Sequence, residues 1–104
     1  MGEYFLATIE DAVTALKSFC QKSSPSGITD YKGYYCGVTN NIDRREIEHK
    51  VKFLGYVYAK SVKGALDLEA RMHQEGFNTG DQLGNAGADS KYVYVYKMTK
   101  DTVE

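Results

Sequence analysis

Apolar and polar positions along the chain alternate between strand-like and helix-like periods. Tyr4-Phe5-Leu6-Ala7-Thr8-Ile9 is a short apolar run that predicts a buried strand. Ile9, Ala12, Val13, Leu16, Phe19 and Cys20 then recur at helical spacing and predict an amphipathic helix to about Lys22. Ser23-Ser24-Pro25-Ser26-Gly27, a proline among small residues, breaks it with a surface loop. Ile28 to Val38 reads as two short strands turning at Lys32-Gly33. Thr39-Asn40-Asn41 offers hydroxyl and amide caps for a second helix. Ile47, Val51 and Leu54 share one face of that helix, and Gly55 stands where a C-terminal glycine would end it. Tyr56 to Ala59 is the next strand, and Ser61 can cap a third helix from Val62 to Glu75 that Gly76 stops. A glycine-rich loop of 15 residues, Gly76 to Ser90, precedes Tyr92-Val93-Tyr94-Val95-Tyr96, a strand with tyrosines on one face and valines on the other. Thr99 to Glu104 reads as a frayed end.

This order predicts one α/β domain over residues 1–104, a small mixed or antiparallel central sheet flanked by about three helices. No apolar run approaches the ~20 residues of a membrane span, and Met1-Gly2-Glu3-Tyr4 lacks the basic region of a signal peptide. Cys20 and Cys36 share no ligand spacing and read as free thiols of a reducing compartment, so the expected setting is cytoplasmic with no membrane partner. The net charge of −1 argues against a general electrostatic grip on nucleic acid. A local excess survives: Asp43 to Lys63 holds six Lys/Arg against three acids, a patch of +3 that permits a phosphate-facing surface.

Two features ask for chemistry rather than packing. Tyr35 lies on a strand, and beyond the turn Arg45 and His49 leave one face of the following helix, four residues apart. On the third helix, Glu69 falls near the middle of the apolar arc formed by Val62, Ala65, Leu66, Leu68, Ala70 and Met72. Burying a bare carboxylate costs several kcal/mol unless it is paired, protonated or bound to a cation. A buried ion pair, a place at the mouth of a groove, a metal ligand or an acid/base role would each satisfy it.

The stretch Tyr35-Cys36-Gly37, with Arg45 and His49 after it, resembles the second half of the GIY-YIG nuclease signature, a Tyr-x-Gly strand followed by Arg and His or Tyr on the next helix. The resemblance covers about residues 32–85. It implies catalytic roles for Tyr35, Arg45, His49 and Glu69, and makes Glu69 the protein ligand of one Mg²⁺ or Mn²⁺ ion. Arg44, Lys50, Tyr31 and Asn85 would then contact substrate. Tyr35, Arg45, His49 and Glu69 would line one concave surface, with Arg45 and Glu69 close enough to share a ligand. The family's first motif, Gly-Ile-Tyr, is not matched where it should stand, at Gln21 to Pro25. Its tyrosine would have to come from Tyr31, from Tyr4, or from Tyr92, Tyr94 or Tyr96, the last strand then occupying the sheet position of the missing first one.

Two functions follow as expectations. One is a metal-dependent endonuclease, in which a tyrosine activates the nucleophile, the metal polarises the phosphate and Arg45 pairs with its oxygens. The other is a catalytically inactive relative that sequesters a nucleotide or other phosphate ligand, or inhibits a partner protein, as a phage accessory or anti-defence protein would. DNA, a phosphate-bearing nucleotide, a protein partner and a second copy of the chain are the partners to consider.

Overall fold

A computed structural model describes residues 9–24, 27, 31–59, 61–79 and 91–102. The expected strand at Tyr4, the first half of the expected hairpin at Ile28 and most of the glycine-rich loop, Asn85 included, lie outside them. The elements are α1 (Ile9–Lys22), β1 (Tyr34–Thr39), α2 (Ile42–His49), β2 (Gly55–Tyr58), α3 (Val62–Gln74) and β3 (Tyr92–Lys97). The chain is thus an α/β domain with three helices and a three-stranded antiparallel sheet among the described residues.

The sheet order is β1-β3-β2, so the last strand in sequence is the central one. Tyr35 pairs with Tyr96 and Gly37 with Tyr94 on one side of β3, while Tyr56 pairs with Tyr94 and Tyr58 with Tyr92 on the other. Side chains alternate across a strand, and this register sorts β3 into two chemistries. Val93 and Val95 join Tyr34, Cys36 and Val57 on the face covered by α1 and α3, where Leu16, Leu68, Met72 and Phe77 complete an aliphatic core. Tyr94 and Tyr96 join Tyr35 on the opposite face, against Ile42, Val51 and Phe53 from α2 and the segment after it.

The helix boundaries correct one expectation. Asn41 caps α2 as foreseen, its side chain accepting from the Arg44 N–H at 3.0 Å. The helix stops at His49 rather than reaching Gly55, because Lys50 turns into the left-handed region (φ 59°) and its N–H bonds back to the Glu46 and Ile47 carbonyls. With only eight residues, α2 does not bury the Ile47 face. Ile47 is 77% exposed, and the opposite side of the helix turns inward with His49. Gly55 begins β2 instead, and a Cβ there would lie 2.3 Å from the Phe19 ring. Ser61 caps α3 through the Gly64 N–H at 3.0 Å, as the sequence suggests.

Candidate functional site

The second face of the sheet is a hydrogen-bonded tyrosine–histidine network with an arginine at its edge. His49 closes α2, and only 1% of its surface is exposed. Its Nε2 lies 2.8 Å from Tyr94 Oη and 3.1 Å from Arg45 Nη2, and its Nδ1 lies 3.1 Å from Tyr96 Oη. A guanidinium can only donate, so Nε2 is the accepting nitrogen. Nδ1 then carries the proton and donates to Tyr96, which fixes the neutral tautomer. The Tyr35 ring packs beside this set, its centroid 5.3 Å from His49 and 5.1 Å from Tyr96. Phe53 stacks on Tyr94 at 4.1 Å with the planes 5° apart, held there because Glu46 Oε2 accepts the Phe53 N–H at 2.8 Å.

Gly37, the third residue of the Tyr-Cys-Gly run, has a steric reason to be glycine. A Cβ at that position would fall 2.3 Å from Tyr94 Oη and 2.5 Å from Tyr94 Cζ. The central strand's tyrosine crosses the bare backbone of β1 to reach His49, and any side chain there would block it.

Arg45 stands where this buried network meets solvent, its side chain 30% exposed. Nη1 pairs with the exposed Glu48 at 2.6 Å, while Nη2 faces His49 and, at 3.5 Å, Tyr94 Oη. Its buried Nε donor has no hydrogen-bond partner among the described residues. Burial works against the arginine's charge, but its bonds to Tyr94 and Glu48 outweigh that and raise its pKa. The same ion pair holds the Glu48 carboxyl below its ordinary value. Burial pushes the Tyr94 phenol far above its ordinary value against the opposing pull of Arg45, so Tyr94 rests protonated.

Of the residues expected to share one surface, Tyr35, Arg45 and His49 come together and Glu69 does not join them. Glu69 is buried as expected, 7% exposed, but on α3, whose Ala65, Leu68 and Met72 pack on the aliphatic face. That layer packs on α1 and the Val93/Val95 face of β3, whereas Arg45 meets the Tyr94 face. Periodicity identified a carboxylate on a buried stripe; which side of the sheet received the stripe depended on the tertiary packing of α3. Tyr31 also belongs to the α3 side, stacked on Phe77 at 4.6 Å and bonded by Gln21 at 2.8 Å. Arg44 points outward, 56% exposed and paired with Asn40 at 3.0 Å, and Lys50 is an exposed capping residue.

The divalent ion that the family resemblance implies can be weighed against this geometry. No group of three or more His, Cys, Asp or Glu side chains that could hold a metal comes together among the described residues. The resemblance asks for only one protein ligand, Glu69, which lies on α3 close to Cys36 of β1. No chemistry below is routed through one.

Tyr94 and Tyr96 are the network members least visible in advance. They stood only among several sources for a missing tyrosine. The alternation Tyr-Val-Tyr-Val-Tyr was the usable signal, because it puts every hydroxyl of that strand on one face. No helix among the described residues is long and apolar enough to cross a membrane. Comparison of the chain with protein-family models, curated proteins and solved structures returned no match.

Proposed function

We propose that the chain binds a phosphate-bearing ligand, first of all the backbone of a nucleic acid, through Arg45 at the edge of the tyrosine–histidine network. The carrying observation is the state of that arginine. Its Nη2 is fixed from inside by His49 and Tyr94, its acidic hydrogen-bond partner among the described residues is the exposed Glu48, and its Nε donor has no partner among them. An exposed Arg–carboxylate pair is worth little, so a ligand phosphate, which offers its own charge-assisted bonds to a guanidinium, can compete with Glu48 for it. His49, neutral in the tautomer assigned above, positions the guanidinium without repelling it. The free, buried thiols Cys20 and Cys36 support a reducing, cytoplasmic setting.

Binding of oligonucleotides and mononucleotides across a salt series tests this. Arg45→Ala should weaken both at least tenfold and lower the salt slope for DNA by about one. An unchanged affinity in Arg45→Ala would refute it and leave a protein-binding role.

A second reading, hydrolysis of the bound phosphodiester, is favoured by the continuous Tyr94–His49–Tyr96 hydrogen-bond chain. With a water admitted beside Arg45, Tyr94 Oη can take its proton while yielding its own to Nε2; the imidazolium, its Nδ1–H still bonded to Tyr96, can then return that proton through Tyr94 to the leaving oxygen. Arg45 would meet the charge that develops on the phosphate. In this reading nicking in the presence of Mg²⁺ or Mn²⁺ disappears in Tyr94→Phe and His49→Ala but survives in Glu69→Gln. Loss of nicking in Glu69→Gln would instead place a metal on that carboxylate and contradict the two-layer assignment.

A further inference from the structure

The same sheet face has a part that the network does not use. Its tyrosines form cross-strand rows: Tyr35 with Tyr96, then Gly37, Tyr94 and Tyr56, then Thr39, Tyr92 and Tyr58. Phe53 covers Tyr94 and Tyr96, leaving them fully buried. Among the described residues nothing covers the third row in this way, and its Tyr58 and Tyr92, with Tyr56 beside them, are only half-buried. Tyr92 meets both other rings edge-on, 5.7 Å from Tyr56 at 79° and 5.1 Å from Tyr58 at 60°. It therefore stacks on neither.

Beside them the surface is concave. A cleft of about 290 Å³ runs between Tyr56 and Tyr92 on one wall and Asn40, Asn41 and Asp43 on the other. A second hollow of about 370 Å³ continues from it through Tyr56 toward Phe53. The wall opposite the rings is the start of α2, the helix that carries Arg44 and Arg45. Aromatic faces, amide and carboxylate groups, and cations one turn away are what a nucleotide's base and phosphate require.

We propose that Tyr56, Tyr58 and Tyr92 form a base-stacking platform for single-stranded nucleic acid, with the base held in the Asn40–Asp43 cleft and the adjoining phosphate on Arg45. The proposal rests on the phosphate reading above and adds the strand form of the ligand. Tyr92 precedes Tyr94 by two residues on the same strand face, so the platform begins about 7 Å from the Arg45 cluster. Duplex DNA keeps its bases stacked within the helix and cannot offer them to this row. The chain should therefore prefer a single strand.

The experiment compares a fluorescein-labelled oligothymidylate, the corresponding duplex and a thymidine mononucleotide. Binding is measured for the wild type, the Tyr56→Leu/Tyr92→Leu double variant and Arg45→Ala. An oligonucleotide carrying 5-iodouracil is photo-cross-linked to the wild type in parallel. Stacking on an aromatic contributes about 1–3 kcal/mol per base. The double variant should therefore lose at least tenfold in single-strand affinity while keeping its circular dichroism, and the cross-links should map to Tyr56, Tyr58 or Tyr92. If the single strand binds and Arg45→Ala weakens it, but the double variant matches wild type and cross-links fall elsewhere, the platform is refuted and the phosphate reading stands. Equal affinity for single strand and duplex refutes the platform as well. If the double variant weakens binding and Arg45→Ala does not, the platform stands and the phosphate reading fails. Binding of no oligonucleotide by the wild type overturns both.

Discussion

On one side of the sheet the strands present valine, cysteine and tyrosine to a core of leucine, methionine and phenylalanine from the flanking helices; on the other they present tyrosine to a histidine and an arginine. The same strand, β3, supplies both surfaces. The aliphatic side is cheap to bury and non-directional, and it accounts for stability through area removed from water. The hydroxyl side must satisfy the polar atoms it buries; it does so for Tyr94, His49 and Tyr96 by chaining them together, and leaves the Arg45 Nε without a partner among the described residues. A directional network is a costly way to fill a core. Its presence where the part-exposed Arg45 reaches solvent is what the proposed binding role rests on.

Leu16→Ala should separate the two sides most sharply. Leu16 is fully buried on the aliphatic face, and its truncation leaves a cavity costing about 2–5 kcal/mol. Denaturant unfolding should show that loss, while ligand affinity measured on the folded protein stays unchanged. A parallel loss of affinity would mean that the faces are coupled.

Gly37→Ala acts from the other side. The added Cβ meets the Tyr94 ring directly, and overpacking of this kind costs about 1–3 kcal/mol. Here affinity should fall together with stability, because Tyr94 can no longer reach His49 and Arg45. Retained affinity in a destabilised Gly37→Ala would detach the network from ligand binding.

Alkaline titration gives the smallest and most gradual effect. Burial raises the Cys20 thiol to about 12 and, with help from the Glu69 charge, lifts Cys36 as well; burial also raises the Tyr94 phenol. A raised folded pKa means stability that is complete below the unfolded pKa and is lost as pH climbs toward the folded one. Unfolded thiols ionise near about 8.5 and phenols near about 10. The denaturation midpoint should therefore fall from about pH 8.5 upward, first through the aliphatic face and from about pH 10 through the polar one as well. Cys36→Ala should flatten the first part only. A midpoint flat to pH 11 would contradict the burial of all three groups.

What could be read without coordinates follows the length scale of each cause. The α1 stripe, the Asn41 and Ser61 caps and the Tyr/Val alternation of β3 are set by neighbours within a turn or two of chain, and each appears in the structure at or close to its expected place. Tyr35, Arg45 and His49 could be grouped because one strand, one turn and one short helix join them. The face that Ile47 shares with Val51 and Leu54 did not bury Ile47, because the inward side of so short a helix is chosen by what the sheet offers, here tyrosine hydroxyls for His49. Glu69 was assigned to the Arg45 surface by resemblance, yet only the stacking of α3 on α1 and β1 decides its layer. The central position of β3 likewise depends on pairing between distant segments, and periodicity carries no signal for that.

Side-chain and methyl NMR of the protein titrated with a single-stranded oligonucleotide tests the division of the sheet most directly. The account predicts shifts at the Arg45 Nε–H, at the His49 ring nitrogens and at the rings of Tyr92 and Tyr94, with the methyls of Val93, Val95 and Leu68 left in place. Shifts concentrated around Glu69 and the methyls of the α1/α3 face, with Arg45 unmoved, would contradict it.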